Sequence, residues 1–223
     1  MNKYKQIAEM HYNQIKTGFL NNLGLEFLEL IYRYIDEYEN SFIIYKIKNE
    51  NIIGFVSGTE DADNLYIGFK DKYFLKIIWI IFKRLCLKPS IVKGIFETMN
   101  YNKKTVLLPK AELISIAVDN DYKGKGIASD LMKEFFNEME KRGIESVKVT
   151  VGADNIRANE YYRKWGFERI LEIEVHKGIR SNVYVRRDGH QTSAEREGRE
   201  GRIQSPSPQS SPVEGEEVKG RRE

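Results

Sequence analysis

A chain of 223 residues that holds one cysteine, three histidines and five prolines is short of the residue types that staple or metallate small folds. The lone Cys86 excludes an intramolecular disulfide, and histidines scattered at 11, 176 and 190 form no Cys/His cluster at ligand spacing. No metal is expected. Neither charge dominates: 36 Lys and Arg stand against 33 Asp and Glu, a formal net charge of +3. That excludes the clustered basic excess of a dedicated nucleic-acid binder. No apolar run reaches the roughly 20 residues that span a bilayer, so no transmembrane segment is expected. The polar start Asn2-Lys3-Tyr4-Lys5 offers no apolar signal segment. A reducing, cytoplasmic setting fits these absences.

The last stretch lacks even more. From Arg187 onward there is no Phe, Tyr, Trp, Leu or Met, and three of the five prolines (206, 208 and 212) fall there. Too little apolar surface is available to offset the entropy of ordering. The expected organisation is one domain over 1–186, interrupted by a helical insertion at about 71–100, with a disordered tail over 187–223.

Within that domain, Ile7, Met10, His11 and Ile15 share one face of a first helix, with His11 expected to pack as structure. Gly24 precedes a second, denser helix carrying Phe27, Leu28, Ile31 and Ile35. Two β-branched runs, 41–48 and 52–58, flank the turn Asn49-Glu50-Asn51 and form a hairpin. Residues 64–69 read as a short extension of it. Lys72 to Leu87 then switches to a basic and aromatic helix, with Lys72, Lys76 and Lys83 within about 40° of one another at 100° per residue, leaving a broad apolar face. Such a face suits a lid over an acceptor pocket, the expected use, or peripheral membrane contact through 72–88 by way of Trp79 and the lysines. Pro89 ends that helix, and 91–99 suggests another.

The chemistry concentrates between Ala111 and Phe167. An apolar strand ending at Val118 runs through Asp119-Asn120-Asp121 into Lys123-Gly124-Lys125-Gly126-Ile127-Ala128-Ser129, where an amphipathic helix begins and continues to Gly143. A helix N-terminus reached through glycines offers free backbone N–H groups and the positive end of the helix dipole, so a phosphate-bearing ligand is expected. The spacing matches neither a P-loop nor the dinucleotide fingerprint, which would need Gly or Ala where Ser129 stands. Alternating Val147, Val149 and Val151 form the next strand, and 169–177 with 181–186 close the domain as a hairpin.

Lys123-Gly124-Lys125-Gly126-Ile127-Ala128 resembles [QR]-x-x-G-x-[GA], the signature of the GNAT superfamily of N-acetyltransferases, departing only at Lys123. Asn155-x-x-Ala158-x-x-x-Tyr162-x-x-x-Gly166-Phe167 follows at the family's spacing. The resemblance implies an α/β (α+β) fold, with a central, mostly antiparallel mixed sheet that contains a splayed strand pair and is flanked by helices. It implies acetyl-CoA as co-substrate and an amine acceptor. Residues 123–129 would hold the pyrophosphate through backbone amides. The backbone of Ile116, Ala117 and Val118 would pair with the pantetheine arm, which Asn155 would also contact. Tyr162 would protonate the departing thiolate, and Glu112, at the distance of the general-base glutamate in the histone-acetylating branch, would deprotonate the amine. Thr17-Gly18-Phe19-Leu20 would wall the acceptor pocket, or form a plain turn between helices. The strand with which the family usually opens has almost no room before the first helix.

Three functions are compatible with these residues: an N-acetyltransferase acting on a small amine, an amino sugar or a peptide amine; an acyl-CoA-binding module that would not need Tyr162; and a membrane-surface interaction protein centred on 72–88. Acceptor identity and oligomeric state are not encoded in any motif of the chain.

Overall fold

The computed structural model describes residues 2–15, 19–87, 108–176 and 179–187. The expected helix at 91–99 and the tail beyond Arg187 lie outside them. Asn2 caps the first helix, α1 (Lys3–Gln14), by accepting a hydrogen bond from the Tyr4 amide at 3.0 Å. A short α2 (Phe19–Leu23) leads to α3 (Leu25–Glu37), which buries Phe27, Leu28, Ile31, Tyr32, Tyr34 and Ile35. Strands β1 (Ser41–Lys48) and β2 (Asn51–Thr59) pair antiparallel through a tight turn in which Asn49 and Glu50 take φ of 50° and 63°. Both left-handed residues match the twist of the flanking strands.

Residues 64–69 are not a β extension. They belong to α4 (Ala62–Leu87), which is kinked at Tyr73. Asp61 starts the helix by accepting the Asn64 amide at 3.0 Å, and Ala62, Leu65 and Phe69 then recur at helical spacing and are buried. Past the kink, Ile77, Ile80 and Ile81 pack inward while Phe74, Leu75, Trp79 and Phe82 stay more than half exposed. Lys72 and Lys83 bridge to Glu37 and Glu26 of α3.

The remaining elements are β3 (Glu112–Val118), a 3₁₀ turn at Asn120–Tyr122, α5 (Ile127–Lys141), β4 (Ser146–Gly152), α6 (Ile156–Lys164), β5 (Glu168–His176) and β6 (Ile179–Arg187). The six strands lie in the order β1-β2-β3-β4-β6-β5, with β3 and β4 the parallel pair. This is an α/β fold with helices on both faces. One core joins α1, α3 and α4 to the sheet, and the other joins α5 and α6 to the opposite face. At Gly58 of β2 an added Cβ would stand 2.6 Å from the Phe135 ring, so glycine there admits α5 to the sheet. Among the described residues no helix is long and apolar enough to cross a membrane, and no group of His, Cys, Asp or Glu could hold a metal ion.

Candidate active site

Strands β3 and β4 are in register at a single position, Glu112 opposite Lys148, with the Lys148 amide donating to the Ala111 carbonyl at 3.0 Å. Beyond it they part. The other edge of β3 pairs with β2 apart from a bulge at Ile114, and the Asp119 amide donates to the Ile53 carbonyl on that side. By alternation from Asp119 the peptide groups of Ile116 and Val118 face the gap. A cleft of about 710 Å³ opens there, lined by α1, Leu20 of α2, Ile114 to Val118, the glycine turn, the end of β4 and the first turns of α6.

The turn enters the cleft by a sequence of left-handed glycines. Gly124 and Gly126 have φ of 77° and 82°, which costs an L side chain about 1–2 kcal/mol. Nothing lies within 4 Å of a Cβ built on either, so the backbone conformation and the open cleft, not crowding, require glycine. Gly126 is also the N-cap of α5 and supplies no side-chain acceptor; the first intrahelical bond is from Asp130 to its carbonyl. The amides of Ile127, Ala128 and Ser129 are therefore without helical partners at the positive end of a 15-residue helix. Lys123 ties the turn to α1, its Nζ donating to Gln14 Oε1 at 2.8 Å and to Asn120 Oδ1 at 2.6 Å.

Opposite the turn, Asn155 caps α6 through Oδ1, which accepts from the Ala158 amide at 3.1 Å. Tyr161 donates to the Ala128 carbonyl at 2.8 Å, bracing α6 against α5. Tyr162 lines the cleft but is only 6% exposed, and burial raises its pKa well above that of an ordinary tyrosine, keeping the hydroxyl protonated at neutral pH. On the far wall His11, also buried, hydrogen-bonds the Tyr32 hydroxyl through Nδ1 at 2.5 Å. Burial pushes its pKa down to about 4, so the imidazole is neutral at pH 7.

Residues 97–167 match the acetyltransferase (GNAT) family. Over that stretch the chain is similar to the GNAT family. It is 35% identical over 86 residues to the [ribosomal protein bS18]-alanine N-acetyltransferase of Escherichia coli K12, a match covering 39% of this chain and 53% of that protein. An uncharacterized N-acetyltransferase of Methanocaldococcus jannaschii is 41% identical over 68 residues, 30% of this chain and 29% of its own length. The chain thus spans about half the length of the first of these relatives, and less of the second. Its fold is similar to that of the PaiA N-acetyltransferase of Thermoplasma acidophilum, solved in complex with coenzyme A, with a TM-score of 0.52 and 14% identity across 82% of this chain and 92% of that one.

Of the GNAT positions expected from the sequence, the structure gathers Ile116, Ala117, Val118, Lys123, Gly124, Gly126, Ile127, Ala128, Ser129, Asn155 and Tyr162 around the cleft. Lys125 is turned aside, its Nζ donating to the Asp121 carbonyl at 2.8 Å over the Tyr122 ring. Glu112 is not among the lining residues. Its carboxylate sits 3.6 Å from Lys148 Nζ at the paired end of the strands, and burial raises its pKa against the opposing pull of Lys148. The lid expected of 72–87 is not found: no described residue of α4 lines the cleft, because the helix packs on α3 instead. Leu20 does line it, whereas Thr17 and Gly18 lie outside the described residues.

Two residues that shape this cleft are not announced by any motif: His11, which lines it, and Asn159, which braces its wall from behind. In the sequence His11 reads as packing, because a histidine on an apolar helical face carries no sign of what lies opposite. Asn159 stood one turn beyond Asn155, a spacing that could have flagged it. Its amide is saturated, with Nδ2 donating to the Gly152 and Asn155 carbonyls at 2.9 and 2.7 Å.

Proposed function

We propose that this domain transfers the acetyl group of acetyl-CoA to a primary amine. The observation that supports the reading is that an uncapped α5 N-terminus, the unpaired stretch of β3 and Tyr162 all line one cleft. Acetyl-CoA supplies an acyl group activated as a thioester. The amides of 124–129, with Lys123 and Lys125 adding positive charge nearby, hold the pyrophosphate. The peptide groups facing out from 116–118 orient the pantetheine arm and the acyl carbonyl as an added strand would. Asn155, its Oδ1 committed to the cap, has its amide nitrogen left for the same arm. Tyr162 delivers a proton to the leaving sulfur, a task that suits a hydroxyl kept neutral by burial. Glu112, engaged by Lys148 and off the cleft, does not reach the amine directly, so its expected base role is not part of this reading.

The acceptor class proposed is a small amine or amino sugar, with a peptide α-amine as the second reading because one relative acts on an alanine N-terminus. Spermidine, glucosamine, alaninamide and an alanine-initiated peptide, each incubated with acetyl-CoA, test it by release of free thiol. Thiol release with any of them supports transfer. Binding of acetyl-CoA with no release from the panel favours a non-catalytic acyl-CoA-binding module, and absence of binding removes the proposal.

A further inference from the structure

Acetyl transfer leaves one proton unaccounted for. As nitrogen attacks the thioester carbonyl, a C–N bond forms and the C–S bond breaks; the sulfur takes a proton from Tyr162, and the nitrogen must give one up. Some group in the cleft has to receive it.

The described residues that line the cleft offer few receivers. Lys123 and Arg157 are cationic, and the Lys123 ammonium is already engaged by Gln14 and Asn120. Tyr161 donates its hydroxyl to the Ala128 carbonyl, Tyr162 serves the sulfur, and Tyr122 lies beneath the ammonium groups of Lys48 and Lys125. Glu112 is elsewhere. His11 alone brings a neutral nitrogen base to the cleft from this set.

Its environment also distinguishes the two ring nitrogens. Nδ1 is bound to the Tyr32 hydroxyl, and Tyr32 is itself fully buried. Among the described residues Nε2 has no partner, and it is not one of the sealed-off polar atoms, so it is the nitrogen left for the cleft. With Nδ1–H donating to the Tyr32 oxygen, the Nε2 lone pair is left free.

We propose that His11, donating Nδ1–H to the Tyr32 hydroxyl, accepts the proton of the attacking amine at Nε2. The assignment rests on the acetyl-transfer reading. The receiving nitrogen need not be strongly basic, because the amine becomes acidic only as it bonds to the carbonyl carbon. The proton then passes from Nε2 to water in the cleft, and Tyr162 regains its own from the same source.

Long-range ¹H–¹⁵N NMR on the labelled full chain at pH 7 reads the tautomer directly, with the signals assigned by their loss in His11→Gln. Should that variant fail to fold, Tyr32→Phe keeps the imidazole and assigns it by perturbation. An unprotonated Nε2 and protonated Nδ1 are expected; a protonated Nε2 overturns the proposal whichever amine the enzyme takes. Calorimetry with acetyl-CoA on the wild-type chain separates the two layers. No binding defeats the acetyl-transfer reading, whereas binding with a protonated Nε2 defeats only the role of His11. For an amine from the panel that is acetylated, His11→Gln should lower kcat about 10²-fold while acetyl-CoA affinity stays within about twofold. Unchanged kcat in a folded His11→Gln also overturns it.

Discussion

The Tyr184 hydroxyl donates to Asn159 Oδ1 at 2.8 Å, and the same oxygen accepts from Asn182 Nδ2 at 2.8 Å. One buried amide thereby locks the start of α6, the end of β4 and the middle of β6 together. It fixes the wall of the cleft that carries Asn155 and Tyr162. Asn159→Ala would strand two donors, Asn182 Nδ2 and the Tyr184 hydroxyl, while the Gly152 and Asn155 carbonyls each keep a backbone amide at 3.0 Å. At roughly 1–3 kcal/mol for each buried group left unsatisfied, tempered by water entering the cleft, a loss of about 2–4 kcal/mol is expected in urea denaturation. Acetyl-CoA affinity should fall as well, since the α6 N-terminus would lose its anchor.

Gly126 is where conformation and ligand access coincide. Gly126→Glu places a β-carbon at φ of 82° and an anion where a pyrophosphate would bind. The fold should persist with about 1–2 kcal/mol of strain, because no protein atom lies within 4 Å of that β-carbon. Acetyl-CoA binding measured by calorimetry should disappear. Affinity equal to wild type would mean that the glycine turn does not hold the cofactor.

Tyr162→Phe removes a hydroxyl and leaves the ring packed against Phe167 at 5.5 Å between centroids. Acetyl-CoA affinity should hardly change, and turnover should drop about 10²-fold. The raised pKa also sets a pH signature: a group that ionises above the ordinary tyrosine range stays protonated through neutrality, so the pH–rate profile should show no loss of Tyr162 function below about pH 10. A turnover matching wild type would return Tyr162 to the core and assign the proton to water.

Glu112→Gln distinguishes pairing from catalysis. Burial raises the Glu112 pKa in the folded protein, so this carboxyl favours the native state most below its unfolded pKa, and that contribution is lost as pH rises through the folded value. Removing the charge should therefore cost little stability at pH 7, the more so as Lys148 Nζ keeps the Pro109 carbonyl at 2.7 Å. Turnover should stay within about threefold, against the 10²-fold expected of a true base. A fall on that larger scale would restore Glu112 to the mechanism.

Much of this molecule is written locally. The left-handed glycines before α5, the Asn155 cap, the 41–48 and 52–58 hairpin and the valine alternation of β4 each depend on neighbours within a few residues, and each was legible from the sequence. So was the splay between β3 and β4, though only through resemblance to a family. The helical state of 64–69 is local as well: the cap at Asp61 commits this stretch to α4, although its apolar residues also suit an extension of the hairpin before it.

Tertiary structure decided what depends on residues far apart in the chain. Asn159 meets partners 23 and 25 residues away, and Glu112 meets Lys148 across a parallel pair whose single register point no pattern announces. His11 faces the cleft because α1 lies across β2 and β3, and Tyr32 of α3 reaches it from 21 residues on. Periodicity says which side of a helix is apolar; only packing says whether that side meets a core or a cavity. For His11 it met both, and that contact converts a buried histidine into a candidate base.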